Sequence, residues 1–232
     1  MSMKKFIAAL MIFACANLFA APMKLTTDQQ KKLNVFFSNF SESYVPSFTE
    51  ATDEIMTNFA LSHNYINKFK SLKTTKDGLS VTVTPDQLDT TAKKYFGKPI
   101  IKHREKIYTM PLADGEAFTF SQLDSLEDLG DKLFKAEGTI YMTSSGGTPD
   151  VHANPEAWKK ADEEVEAISK FSAKIKSEGD RYILVEYTVT DTRIVEETVE
   201  GTSEDIADEP EGIGFEPEEI FDDNQTEDSN QE

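Results

Sequence analysis

Residues 84–103 read TPDQLDTTAKKYFGKPIIKH, and this stretch separates a helix-patterned first half of the chain from a strand-patterned second half. Thr84 suits a helix N-cap, Pro85 the first helical position, and Gln87 completes a Thr-x-x-Gln capping box. Leu88, Ala92, Tyr95 and Phe96 then recur at helical spacing and form one apolar stripe. Asp86 and Asp89 lie near the positive end of this helix and Lys93 and Lys94 near its negative end. Gly97 supplies a left-handed stop before Pro99. The expected fold class is therefore α+β, with N-terminal helices packed on a curved antiparallel β-sheet. The 84–96 helix is expected to be the element on which that sheet curls, with Tyr95 and Phe96 facing inward.

Upstream, Thr27-Asp28-Gln29-Gln30 reads as a capping box leading into Leu33, Phe36, Phe37 and Phe40 on one face. Ser47 with Glu50 marks the start of a second, long helix through about Leu72. Its apolar face is Ile55, Phe59, His63 and Ile66, with Met56, Ala60 and Phe69 alongside. His63 lies inside that stripe and reads as a partly buried histidine with a satisfied hydrogen bond. Lys76-Asp77-Gly78 is a turn, and LSVTVT alternates as a short strand.

Downstream of Gly97 the pattern changes to period two. IIKH and KIYTM are expected as short strands, with Ala113-Asp114-Gly115 as the turn of a hairpin into EAFTF. Gly130-Asp131 separates FSQLDSLEDL from KLFKAEGTIYMTS, in which Phe134, Ala136, Gly138, Ile140 and Met142 share a face. Residues 144–155 have loop composition and place His152 at the surface. A helix over Pro155–Glu163 would be anchored by Trp158. Residues 164–176 fit both periods, but the turn Glu178-Gly179-Asp180 into RYILVEYTVTD favours a strand.

Charge divides the chain further. The net charge is −18, and all 16 acidic residues beyond Arg193 lack any lysine or arginine among them, so the rest is close to neutral. With no basic face, nucleic-acid binding is excluded. Residues 195–232 have too few apolar groups to offset ordering entropy and are expected to be a disordered acidic tail, with Ile213, Phe215, Ile220 and Phe221 among its few apolar residues. At the other end, Lys4 and Lys5 precede the apolar run FIAALMIFA and the small-residue region LFAAP, the order of a secretory signal peptide over residues 1–20, cleaved after Ala20. The run is too short for a transmembrane span. The alternative is a lipid anchor, with Cys15 acylated after a loose Ile12-Phe13-Ala14 lipobox. Residues 21–194 then form a single α+β domain, exported to the periplasm, the cell surface or the medium.

No HExxH, CxxC, P-loop or GxGxxG pattern is present, and no metal or cofactor is called for. The leading functional expectation is a non-catalytic binding protein for a protein, peptide or small molecule, with a pocket lined by Tyr95, Phe96, Tyr108 and Phe118. A second is a small enzyme using His103 as acid or base, oriented by Asp114 or Glu116, with Tyr95 or Tyr108 as donors. A third makes the acidic tail a loose binder of Ca²⁺ or cationic peptides. The segments FFSNFSE, FALSHNYIN, TAKKYFGKPIIKH, ADGEAF and RYILVEY resemble a family of exported bacterial proteins and lipoproteins of unknown function, over Leu25 to Val189. That resemblance implies export. In element order the chain is also similar to cystatin-like and NTF2-like folds, which implies helices followed by a curved sheet and hosts binders and enzymes alike.

Overall fold

The computed structural model describes residues 22–112, 118–143 and 149–191. The first helix, α1 (Thr27–Glu42), is capped one residue earlier than its pattern suggests. The Thr26 hydroxyl accepts from the Gln29 N–H, and the Gln29 side chain accepts from the Thr26 N–H at 2.9 Å. The second, α2 (Asp53–Lys68), starts five residues later than expected, from Thr52, whose hydroxyl accepts from Ile55 N–H. The delay has a cause: Phe48 forms an isolated β-bridge to Tyr187 and Ser47 bonds beside it. Phe48 exchanges both backbone hydrogen bonds with Tyr187, at 2.7 and 2.9 Å, and the Ser47 hydroxyl accepts from Val189 N–H. A 3-10 turn, Phe69–Ser71, ends the α2 segment.

The strands fall into two sheets. The smaller contains β1 (Lys73–Thr74), β2 (Ser80–Val83) and β3 (Tyr108–Pro111) in that order, all antiparallel. Helix α3 (Pro85–Phe96) leaves directly from β2 and has both halves of the capping box at Thr84 and Gln87, with Gly97 left-handed at φ 71°. The larger, curved sheet is a meander of β4 (Phe118–Gly130), β5 (Leu133–Thr143), β6 (Val165–Glu178) and β7 (Arg181–Asp191). The short α4 (Pro155–Lys160) lies between β5 and β6.

Two expectations are corrected here. IIKH is not a strand; residues 99–107 form an irregular loop. The expected hairpin from KIYTM into EAFTF is not formed either, because β3 pairs with β2 while β4 pairs with β5 in the other sheet. Its turn, with Asp114 and Glu116, lies outside the described residues.

A third correction concerns what the large sheet packs on. It is α1, not α3. Leu33, Phe37 and Phe40 of α1 have no exposed surface, and Phe37 meets Phe171 of β6 at 4.5 Å between ring centroids. Each such apolar side chain removed from water contributes roughly 1.5–3 kcal/mol. The same helix covers the open edge of β4. Leu123 N–H donates to the Asn34 side chain at 2.9 Å, Leu123 C=O accepts from Gln30 at 2.6 Å, and Ser121 N–H donates to Ser38 at 2.9 Å. Met23 N–H continues the line by donating to Leu126 C=O at 2.8 Å. Gln30, Asn34 and Ser38 recur every four residues, so one polar stripe of a helix substitutes for a missing neighbouring strand. Phe48 and Ser47 cover part of the β7 edge in the same way.

Helix α3 packs instead against α2 and the start of β7. Phe59 of α2 lies edge-on to Tyr95 and Phe96 of α3, at 5.0 and 5.3 Å, and a buried bond joins Asn64 to Thr91 at 3.0 Å. Residues 164–176 are strand, as expected, and the break in their alternation is a bulge. Ser169 pairs with Ile140 and Ala167 with Tyr141, leaving Ile168 as the additional residue. Val165 and Ala167 are thereby turned to the face under α4, where Trp158 packs edge-on against Phe120 and Tyr141.

Candidate functional site

Two concave places in the body carry chemistry. The first lies where α2 meets the 99–107 loop, a cleft of about 460 Å³ whose lining includes Asp53, Glu54, Thr57, Lys102, His103, Arg104 and Tyr108. The loop is irregular, so its backbone donors need partners from outside it. Asp53, in the first turn of α2, accepts from both Ile101 and Lys102 N–H, at 3.0 and 2.9 Å. The Ile101 bond, joined by the Lys102 bond and the nearby lysines, holds the Asp53 carboxyl below its ordinary range. Asp89, on α3, accepts from Ile100 N–H, and the Tyr108 hydroxyl accepts from Arg104 N–H at 3.0 Å.

His103 sits inside this clamp and is about one-fifth exposed. Its Nε2 lies 3.2 Å from Asp89 Oδ1, and its Nδ1 lies 3.4 Å from the Tyr108 hydroxyl. His103 therefore has a carboxylate beside it, and that carboxylate is Asp89. Asp89 was read from sequence only as a helix-dipole charge, and no local spacing joins it to a residue 14 positions later. Both ring nitrogens face groups that also hold the loop, so the imidazole is built into the clamp.

The four residues expected to line one pocket share none of the described cavities: Tyr95, Phe96 and Tyr108 belong to one buried cluster and Phe118 lies apart from it. Tyr95 and Phe96 lie in the main core, 5 and 6 % exposed, with the Tyr95 ring against Phe36, Phe40, Phe59 and His63. Burial, reinforced by the charge of Glu42, pushes the Tyr95 hydroxyl up to about 12. Tyr108 belongs to the histidine clamp. Phe118 starts β4 and is 38 % exposed beside Phe120, on the side of the sheet that carries α4. His63 is buried, stacked on Phe59 at 5.5 Å, with Nδ1 3.2 Å from the Asn67 amide. His152 is partly buried, not fully exposed. Cys15 lies outside the described residues.

The second place is a groove of about 290 Å³ between α1, α3 and the start of β7. Phe36, Tyr95 and Tyr182 line it, with Phe36 stacked on Tyr95 and edge-on to Tyr182, both at 6.0 Å. Three cations, Lys32, Lys94 and Arg181, and one carboxylate, Asp180, stand around it. Lys94 Nζ lies 4.8 Å from the centre of the Tyr95 ring and Lys32 Nζ 5.7 Å from that of Tyr182. Lys32 also donates to Asp180 C=O, and Arg181 donates to Lys93 C=O at 3.2 Å and to Glu178 at 3.0 Å, which ties β7 to the end of α3. Among the described residues neither Lys32 nor Lys94 is within ion-pair distance of a carboxylate. Sequence reading missed this groove because its parts come from three separated segments. The adjacent pairs Lys94-Tyr95 and Arg181-Tyr182, and Lys32 with Phe36 at i and i+4, were its only local traces.

No family model, curated protein or solved structure matches the chain. Among the described residues no helix is long and apolar enough to cross a membrane, and no group of three or more histidine, cysteine or acidic side chains is arranged to hold a metal ion.

Proposed function

We propose that the protein is a non-catalytic binding module, exported from a bacterial cell, whose α1–α3–β7 groove accepts an acidic peptide segment bearing an aromatic side chain. One observation carries the reading: Lys32 and Lys94 stand over aromatic rings at the mouth of an apolar groove without carboxylate partners among the described residues. An aromatic ring entering there meets the half-buried Tyr182 and the outer edges of the otherwise buried Phe36 and Tyr95, and flanking carboxylates meet the two amines. Stacking of that kind contributes about 0.5–1.5 kcal/mol per ring pair, and each exposed ion pair up to about 1 kcal/mol. The affinity should therefore be modest and salt-sensitive. Calorimetric titration with acidic-aromatic, acidic-only and aromatic-only peptides tests it. Binding of the first class alone, weakened by salt and by K32E/K94E, is the expected result; no binding, or binding indifferent to the charge reversals, sinks the proposal.

The His103–Asp89 pair beside a cleft favours a second reading, acid–base catalysis. It requires Tyr108 to leave Nδ1 when substrate enters, since a base must reach the proton it takes. A hydrolytic activity lost in His103→Gln but kept in Lys94→Glu would make this the better account. Export, and the choice between cleavage after Ala20 and acylation of Cys15, is tested by the intact mass of the mature chain. Loose binding of Ca²⁺ or cationic peptides by the acidic tail is tested by calorimetry with and without the residues after Arg193.

A further inference from the structure

We infer that residues 211–223, EGIGFEPEEIFDD, dock in the α1–α3–β7 groove of their own chain, one phenylalanine ring against Phe36, Tyr95 and Tyr182 and the flanking carboxylates against Lys32, Lys94 and Arg181. The inference rests on the reading of that groove as a site for an anionic, aromatic segment. The chain itself contains such a segment. Residues 211–223 carry six carboxylates, no cation, and Phe215 and Phe221. Around the groove Lys32, Lys94 and Arg181 face the carboxylates of Asp180 and of Glu178, which pairs with Arg181, so its mouth keeps one net positive charge; Tyr182 is its more open ring, and Phe36 and Tyr95, 8 and 5 % exposed, form its floor.

The connection is long enough. β7 runs from Arg181, at the groove, to Asp191. At about 3.4 Å per residue those ends are roughly 34 Å apart. The chain from Thr192 to Phe215 can span up to roughly 80 Å, about twice what the return requires. Tethering at such a length gives an effective concentration on the order of millimolar, so even a weak site is occupied by its own tail. A partner peptide must then displace residues 211–223, and these residues set a threshold for its binding.

The test uses the full chain with a photoreactive benzoyl-phenylalanine in place of Glu216, next to Phe215. After irradiation, mass spectrometry should find position 216 joined to the Lys32–Phe36 or Arg181–Tyr182 regions. A mixture of isotopically light and heavy protein should show that the two ends of each link come from one molecule. The yield should fall about tenfold in K32E/K94E/R181E, as three weakened ion pairs allow. It should fall similarly in F215A/F221A, which leaves the described body untouched and so separates loss of docking from loss of fold. Links scattered over the surface, links between light and heavy copies, or yields equal in all variants would overturn the inference. The two proposals separate in F215A/F221A. If added acidic-aromatic peptides bind it but the parent shows no groove link, only the docking of residues 211–223 fails; if the link forms but no added peptide binds, only the wider binding function fails.

Discussion

Acidification should destabilise this fold through His63, and replacing that residue should remove the effect. The ring is 3 % exposed, stacked on Phe59 and edge-on to Tyr95 at 4.8 Å. Asn67 donates its amide hydrogen to Nδ1, so the neutral ring carries its proton on Nε2. Burial, with the nearby charges of Lys68 and Lys94, lowers its pKa from 6.5 to about 4. The unfolded chain therefore takes up the proton first as pH falls. Stability is intact above pH 6.5, decreases below it, and levels off below pH 4. For those two midpoints the loss between pH 7 and pH 5 is about 2 kcal/mol.

Glu42 acts in the opposite direction. Burial raises its pKa, against a hydrogen bond from Asn67, so the folded state gains relative stability when that carboxyl is protonated. The pH profile of the parent protein alone thus mixes two signs, and the difference between parent and His63→Phe isolates the histidine. Phenylalanine preserves the ring between Phe59 and Tyr95 and costs only the bond from Asn67, about 1 kcal/mol at pH 7. Urea unfolding, followed by the emission of the single, buried Trp158, gives both stabilities. The parent should lose about 2 kcal/mol more than the variant on going from pH 7 to pH 5. Parallel profiles, or a His63 ring that titrates in NMR near 6.5, would refute the reasoning.

Three further outcomes follow from packing and hydrogen bonding. Gly138→Ala should destabilise by about 1–3 kcal/mol in the same urea assay, because an added Cβ would collide with the Phe171 ring and the Gln122 carbonyl; Gly179→Ala, with nothing within 4 Å but φ at 64°, should cost less. Asn34→Leu leaves Leu123 N–H on the β4 edge without its acceptor and should cost about 1–3 kcal/mol, with faster amide exchange at Leu123. Asp53→Ala frees the Ile101 and Lys102 donors together and should make residues 99–107 the first site of limited proteolysis, with thermal unfolding of the remainder little changed.

Sequence showed most where interactions are local. The α3 boundaries were legible because Thr84, Pro85, Gln87 and Gly97 each act within four residues of the chain. The strand at 164–176 was legible because the turn after it left only one geometry for its partner. What was hidden depends on pairs far apart in sequence. Ser47 looked like a helix cap, and its real partner is Val189, 142 residues away. The α1 polar stripe Gln30, Asn34 and Ser38 carries no local sign of its partner, yet it supplies the hydrogen bonds of a sheet edge.

The same division governs the candidate sites. His103 was found because histidine is chemically conspicuous, while Asp89 had already been given a sufficient local role at the start of α3. A residue with one adequate explanation hides a second, and Asp89 serves both the helix and the 99–107 loop. The groove was hidden for the opposite reason: Lys32, Lys94 and Arg181 each look like ordinary surface charge. Their meaning depends on α1, α3 and β7 converging. That convergence follows from α1, rather than α3, lying on the large sheet, because α3 is then left beside the start of β7. A fold with α3 at the centre of the large sheet would have no such groove.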